Sequence, residues 1–134
     1  MDDFYKNHEG YPDPTAGAAL ARVIKEEHRW RPLVYICSPY SGNHPGNTRK
    51  AIQYSRFAVD QGAIPLAPHL LLPLYMKEKT EREFAMFMDM VFLGRCEELW
   101  VFGDNLSSGM QAEIAKARKR QMKIRYFTED CKEE

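Results

Sequence analysis

The chain has 134 residues, which is enough for about one domain with a single core. Its 19 Lys and Arg residues balance its 19 Asp and Glu residues, and this zero net charge gives no electrostatic drive toward DNA, RNA or an anionic membrane. No apolar run approaches the roughly 20 residues of a membrane span, and the acidic start Met1-Asp2-Asp3 does not resemble a signal peptide. We therefore expect a cytoplasmic protein that binds neither a nucleic acid polymer nor a membrane.

The cysteines and histidines are too widely spaced for a disulfide framework or a zinc site. No CxxC or HxxxH pair occurs among them, so we expect reduced thiols and no structural metal. The residues are Cys37, Cys96, Cys131, His8, His28, His44 and His69. A dense basic run at residues 116–125 falls late in a predicted helix and beyond it, where cations suit the helix dipole, so we interpret it as structural.

The first 32 residues are predicted to be an arm followed by one helix, ahead of a main domain at residues 33–128 and a charged tail at residues 129–134. Asp13 and Pro14 fit the N-cap and first position of the helix, since apolar residues follow at helical spacing. These are Ala16, Ala19, Leu20, Val23 and Ile24. The helix either docks a partner or packs against the main domain, and we favour packing.

A short apolar run at residues 33–37, LVYIC, is typical of a central parallel strand that is covered on both faces. A polar turn follows, and a helix is predicted over residues 47–61 with Asn47 as its N-cap. Small polar residues before a helix N-terminus can receive an anion, with backbone N–H groups and Arg49 as donors. An ordinary surface loop is at least as well supported, since the turn has neither a Walker nor a GxGxxG pattern.

Residues 63–68 are predicted to be the second strand, and Pro65 and Pro68 confine it to an edge of the sheet. His69 follows directly. It either contacts a ligand or fills the wall beside the strand, and the second interpretation is slightly favoured.

The next helix is predicted over residues 81–95, with Thr80 as its cap, and it is apolar on every side beyond its first turn. Such a helix is either deeply buried or shared with a second subunit. Asp89 lies in its middle, where an unpaired carboxylate loses several kcal/mol of hydration. This makes Asp89 a candidate functional acid. The alternative is a structural carboxylate that caps a loop or pairs with Arg95.

An apolar strand at residues 99–102 leads through a turn to a helix that begins at Ser108, where Ser108 and Gln111 fit a capping box. Its buried stripe is predicted to be Met110, Ile114 and Ala117. Glu113 falls on the margin of this stripe, so its carboxylate can face a cleft. From spacing alone, a solvated Glu113 that pairs with Lys116 is the simpler interpretation.

Residues 123–127 alternate as a half-exposed edge strand does. The full order of strands and helices predicts an α/β, three-layer, Rossmann- or flavodoxin-like fold with a parallel sheet in the order 2-1-3-4 and an extra N-terminal helix. Ligands of such sheets bind where the winding reverses, here between strands one and three. Glu113 is then the nearest carboxylate on the helix that borders this cleft, and Tyr35 can reach it.

Three segments together resemble the nucleoside 2-deoxyribosyltransferase-like superfamily, especially its small phage and bacterial members. They are the strand end YICSPY at residues 35–40, the Asp89 helix, and SGMQAEIAKA at residues 108–117. The S-x-G-M-x-x-E pattern is the most specific of the three, and the resemblance covers about residues 33–127. The sequence departs from the family at Ser107, which stands near the place of a common acidic residue, and at residues 37–40, which replace a glycine-rich turn.

The resemblance implies a two-step exchange at the anomeric carbon of a sugar. Glu113 matches the nucleophile that displaces the base from C1′ of a 2′-deoxynucleoside or its 5′-monophosphate, before a second base or water takes the sugar. Tyr35 matches the residue that orients the nucleophile, and Asp89 matches the acid that assists the departing base. No metal or organic cofactor is required. The expected substrate-binding residues are Ser38, Tyr40, Ser41, Gly42, Asn47, Arg49, His69, Ser107, Ser108, Gly109 and Met110.

Three functions remain in competition. An enzyme that transfers or hydrolyses the N-glycosidic bond is modestly favoured. The second is a module that binds or senses a nucleotide in the same cleft without turnover. In the third, a structural protein uses the methionine-rich helix as an oligomer interface, and that helix makes a homo-oligomer the expected state in any case.

Overall fold

The computed structural model describes residues 14–40 and 44–134 of the chain, which divides into two units, Met1–Trp30 and Arg31–Glu134. The first unit contains helix α1 (Pro14–Glu27). Glu26 in its last turn forms an exposed ion pair at 3.1 Å with Arg29, which follows the helix. The N-terminal helix is therefore confirmed. The predicted arm and Asp13, the predicted N-cap of this helix, lie outside the described residues.

The second unit is built on one parallel sheet. Its strands are β1 (Leu33–Cys37), β2 (Ile64–Leu66), β3 (Glu98–Phe102) and β4 (Lys123–Phe127), in the order β2-β1-β3-β4. This confirms the predicted class and strand order. Pro65 lies in the edge strand β2, where a residue without an N–H group costs the sheet least.

Helices cover both faces of the sheet, because successive side chains of each strand point to opposite sides. Helix α2 (His44–Asp60) covers one face, and α3 (Glu78–Gly94) with α4 (Ser108–Lys119) covers the other. The first face buries Val34, Ile36, Tyr54, Ala58, Trp100, Phe102 and Phe127. The second buries Tyr35, Cys37, Leu93, Leu99, Val101, Met110, Ile114 and Ala117. The predicted stripe of α4 is thus in the core.

The start of α4 differs from the prediction in its cap. Ser107 has an extended backbone, and its Oγ accepts the N–H of Met110 at 3.2 Å. Ser107 is therefore the N-cap, and the prediction that Ser108 takes this part is wrong. Gln111 instead donates its side-chain N–H to the carbonyl of Leu106 at 3.1 Å. The predicted first residue of the helix, Ser108, is correct.

Helix α3 begins earlier than predicted, at Glu78, and Thr80 is not its cap. Its N-cap is Lys77, whose backbone N–H is accepted by Glu81 Oε1 at 2.8 Å. Glu81 itself has non-helical dihedrals (φ −122°, ψ 16°), so the first turn is separated from the rest of the helix by a kink. Helix α2 likewise begins three residues before the predicted Asn47.

The apolar surface of α3 is only partly buried. Leu93 is in the core, but Phe84 and Phe87 are 58% and 62% exposed, and Met86 and Val91 are also exposed. Burial on every side was one of two expectations for this helix, and it is wrong. A shared subunit interface remains a prediction. Among the described residues, no helix is both long and apolar enough to cross a membrane.

Candidate active site

A cavity of about 170 Å³ lies at the carboxyl ends of β1 and β3, the place that the strand order predicts for a ligand. Ser38, directly after β1, contributes to one wall, and Ser107, Ser108 and Gly109 at the start of α4 contribute to another. The two short 3₁₀ turns after β2 and the inner side of α3 complete the lining. Asp89 and Glu113 both face this space.

Glu113 is held by the first turns of α4 and is only 5% exposed. Its Oε1 accepts the S–H of Cys37 with 3.7 Å between the heavy atoms, whereas Oε2 has no hydrogen-bond partner among the described residues. Burial raises the pKa of this carboxyl to about 7, although Tyr35 and Cys37 act to lower it. The solvated Glu113 expected from spacing alone, paired with Lys116, is therefore wrong.

Asp89 reaches the cavity from the middle of α3. Burial raises its pKa to about 6, and no Lys or Arg contributes to the shift. Its Oδ1 is buried without a partner in the described part of the chain, so at that oxygen it neither caps a loop nor pairs with the exposed Arg95. The negative charge of Asp89 also raises the pKa of Glu113.

Tyr35 is fully buried on β1, on the face that carries α3 and α4. Burial and the nearby charges of Glu113 and Asp89 raise the pKa of its phenol far above the ordinary value, so it stays protonated. Its hydroxyl meets no partner in strict hydrogen-bond geometry among the described residues, although it is close enough to Glu113 to lower the carboxyl's pKa. Tyr35 is thus a neutral donor beside the carboxyl.

His69 lines the cavity and supports its floor at the same time. Its Nε2–H donates to the backbone carbonyl of Ser38 at 2.9 Å, and its ring stacks on Tyr40 with 5.3 Å between centroids. Burial lowers the pKa of His69, so the ring is neutral near pH 7. Ser38 is 1% exposed, and its Oγ has no hydrogen-bond partner in the described structure. A buried hydroxyl in this state is available to a ligand.

The other predicted binding residues fall into three groups. Tyr40, Ser107, Ser108, Gly109 and Met110 line the cavity. Asn47 and Arg49 do not: Asn47 donates its side-chain N–H to the carbonyl of Tyr40 at 3.1 Å, and Arg49 is exposed on α2. Ser41 and Gly42 lie outside the described residues.

Sequence reasoning missed the charged rim of the cavity and one contact beneath it. Lys77, Glu78 and Arg82 line the mouth, at and near the start of α3. Arg82 precedes Asp89 by two helical turns, so helical spacing from Asp89 was a usable signal. Cys37 could also have been identified from the sequence, because it follows Tyr35 by two positions on a strand and therefore shares its face.

Metal ligation has no support in the part of the chain that the structure describes. No group of three or more His, Cys, Asp or Glu residues there could hold an ion. The three cysteines are free thiols, with Cys37 and Cys96 buried.

Comparison with known proteins adds a structural relative and a family. The fold is similar to a solved 2-deoxyribosyltransferase from the psychrotolerant bacterium Bacillus psychrosaccharolyticus, with a TM-score of 0.54 and 20% identity over 72% of each chain. The resemblance expected from the sequence is thereby confirmed at the level of fold. A search of curated proteins gives no match. The family model described as "Domain of unknown function (DUF7768)" matches residues 32–127, and the chain therefore belongs to the DUF7768 family.

Proposed function

We propose that this protein breaks or transfers the N-glycosidic bond of 2′-deoxynucleosides or their 5′-monophosphates through a covalent glycosyl ester on Glu113. One observation carries the proposal. Two acids from different helices line one cavity with a neutral phenol beside them, and each has a buried oxygen that finds no partner in the described part of the chain. Burying two carboxyls without cationic partners is unfavourable for stability, so such an arrangement favours a chemical role.

In the first step, a Glu113 oxygen attacks C1′ of the sugar as the bond from C1′ to the base nitrogen breaks. The electron pair of the broken bond goes to the base, which takes a proton from Asp89 as it leaves. Tyr35 donates toward the Glu113 carboxyl and holds it in line for attack. The product is a sugar esterified to Glu113 and an ionised Asp89.

In the second step, the Asp89 carboxylate removes a proton from an N–H group of an incoming base, or from water. The freed nucleophile attacks C1′, the ester bond breaks, and Glu113 recovers its carboxylate. Two displacements at C1′ give overall retention of configuration, as in retaining glycosidases. A base as acceptor gives transfer, and water gives hydrolysis.

The protonation states of the two acids suit these steps. With pKa values of about 6 for Asp89 and about 7 for Glu113, the free pair shares about one proton near neutral pH, and more of it resides on Glu113. The proposed reaction proceeds from the form that carries this proton on Asp89. Below this range Glu113 is protonated and cannot attack. Above it Asp89 is ionised and cannot assist the leaving base. We therefore expect a bell-shaped dependence of kcat/KM on pH.

The start of α4 and the rim of the cavity supply groups for the rest of the substrate. Ser108 and Gly109 lie at a helix N-terminus, where backbone N–H groups favour a polar or anionic ligand. Lys77 and Arg82 place positive charge at the mouth. These groups suit the 5′ end of the sugar, whether it carries a hydroxyl or a phosphate, while the apolar wall from α3 suits the flat base.

The decisive experiment measures base release. The protein is incubated with each 2′-deoxynucleoside or its 5′-monophosphate, with and without a second free base, and the bases are separated by chromatography. We expect release or exchange by the wild type and a loss of at least about 10³-fold in Glu113→Gln. Glu83→Gln, on the exposed side of α3, is the matched control. Turnover of Glu113→Gln at the native rate would exclude the covalent role.

The same experiment separates the enzyme from a binding module. If no base is released, thermal denaturation with each nucleotide in excess tests whether the cavity binds without chemistry. Stabilisation that grows with ligand concentration and disappears in the Ser38→Tyr variant would then assign a sensing role.

We also propose that the protein forms a homo-oligomer through the exposed apolar face of α3. Phe84 and Phe87 stack at 6.2 Å on this face, and an exposed apolar group of this kind favours association. Light scattering on the wild type should give a mass above one chain. Phe87→Glu should lower the mass toward that of a monomer, whereas a monomeric wild type would contradict the proposal.

A further inference from the structure

Cys37 is a buried thiol that the proposed reaction does not use. It is 0% exposed and follows Tyr35 by two positions on β1, so both side chains face α4. Its Sγ lies 3.7 Å from Glu113 Oε1 and 3.9 Å from the backbone carbonyl of Met110. A thiol has one proton to donate, and an ionised carboxylate is a stronger acceptor than a carbonyl. When Glu113 is charged, the S–H therefore points at Oε1.

We propose that Cys37 is a positioning residue whose S–H holds Oε1 of Glu113 and favours the ionised carboxyl, which leaves Oε2 free to attack the sugar. The inference rests on the proposed function for its catalytic meaning. Its physical content is a hydrogen bond between two named groups. Oε2 has no hydrogen-bond partner among residues 14–40 and 44–134, which supports separate roles for the two oxygens.

The groups that face Glu113 leave few alternatives. Tyr35 and Cys37 face it from β1, Asp89 faces it from α3, and the neutral His69 lines the same cavity. The ionisable groups farther out at the mouth are Lys77, Glu78 and Arg82. Within the described residues Glu113 has no ion-pair partner, so its charge is stabilised by the hydroxyl of Tyr35 and the thiol of Cys37 and opposed by Asp89.

This arrangement determines where the shared proton resides. Asp89 and Glu113 compete for it, and the reaction needs it on Asp89. Each donor at Glu113 lowers the pKa of that carboxyl and so moves the proton toward Asp89. The thiol is protonated throughout, since burial and the charge of Glu113 raise its pKa well above the ordinary value. Cys37 therefore acts as a donor and not as a nucleophile.

The test measures the titration of Glu113 directly. Protein labelled with ¹³C at the side-chain carboxyl of glutamate is titrated by NMR, and the spectrum of Glu113→Gln identifies the resonance. We expect Cys37→Ala to raise the midpoint of Glu113 by about half a pH unit. Cys37→Ser keeps a donor and should hold the midpoint at or below the wild-type value. Cys96→Ala is the matched control, because it removes a buried thiol that donates to the Phe92 carbonyl instead.

The kinetic consequence is specific to the acidic side of the pH profile. In Cys37→Ala the acidic limb of kcat/KM should move up by the same half unit, which lowers kcat/KM at pH 6 by about threefold. Cys37→Ser should restore the limb. A merely structural role for the thiol would lower thermal stability without moving it.

The two measurements separate the failure of this inference from the failure of the proposed function. An unchanged Glu113 midpoint in both Cys37 variants overturns the inference, whatever the activity. A raised midpoint in Cys37→Ala together with an inactive wild type supports the hydrogen bond and removes the glycosyl reaction. If Cys37→Ala does not fold, a Cys37→Ser midpoint higher than that of the wild type overturns the inference.

Discussion

The two faces of the sheet differ in the kind of side chain that they bury. The face under α2 is a continuous aromatic cluster, in which Phe102 stacks on Tyr54 at 4.2 Å and on Phe127 at 5.0 Å. The face under α3 and α4 carries two acids that line a cavity, with a thiol and a phenol buried beside Glu113. On the first face the indole N–H of Trp100 is satisfied by Glu98 Oε1 at 3.0 Å, whereas among the described residues the second face holds buried polar oxygens without partners. The difference indicates that one face supplies stability, while the other carries buried polar groups at a cost in stability, as the proposed reaction would require.

Trp100→Ala is expected to have the largest effect among the variants that test this comparison. Trp100 is 1% exposed in the aromatic cluster, and the guanidinium of Arg125 lies 4.6 Å from its ring centroid. Truncation should lower the free energy of unfolding by about 3 to 5 kcal/mol in urea denaturation. Trp30→Ala is the matched control, because Trp30 is 77% exposed and its loss should cost less than about 0.5 kcal/mol. Equal effects of the two variants would contradict the assignment of stability to this face.

Glu113→Gln should raise the free energy of unfolding, whereas Trp100→Ala lowers it. The folded pKa of Glu113 is about 7 against an ordinary value of 4.5, so between these pH values the unfolded chain loses the proton first and stability falls as pH rises. Below about pH 4.5 the cost is absent. We expect the variant to exceed the wild type in free energy of unfolding by about 3 kcal/mol at pH 8 and by little at pH 4. A variant that is less stable than the wild type at pH 8 would show that the carboxylate stabilises the fold.

Asp89→Asn should affect chemistry more than stability. Loss of the proton that the leaving base needs should reduce base release by about 10²-fold, and the loss should be smaller for bases that leave easily without protonation. Chromatographic rates for a series of bases measure this slope. A uniform loss across the series would mean that Asp89 binds substrate and does not assist departure. Asp130→Asn, in the exposed C-terminal region, is the control.

The smallest effect is expected outside the cavity. Arg49→Ala should change KM for nucleosides and for their monophosphates by less than about twofold, since Arg49 is exposed on α2 and does not line the cavity. Arg82→Ala, at the mouth, is the comparison and should raise KM more for the monophosphate than for the nucleoside. The reverse ranking would return the anion site to the start of α2.

The fold was predictable because its signals are local and regular. Two prolines assigned β2 to an edge, and the apolar run of β1 assigned it to the centre. The environment of Glu113 was not predictable from spacing, since a residue at the margin of a helical stripe is exposed or buried according to its neighbours in three dimensions. Cys37 was missed for a similar reason, since its contact is with Glu113, which lies far away in the sequence. Arg82 was missed although it lies only two helical turns before Asp89.

Both edges of the sheet carry features that hinder pairing with a further strand. On one side β2 is only three residues long and presents Pro65, which cannot donate a backbone hydrogen bond. On the other side the chain turns at Thr128 so that Glu133 bridges antiparallel to Phe127 and the N–H of Glu134 is accepted by the Tyr126 carbonyl at 2.9 Å. The C-terminal residues therefore cover the last part of β4, as Pro65 interrupts the donors of β2 at the opposite edge. Both features reduce the unpaired backbone that another strand could join in edge-to-edge association.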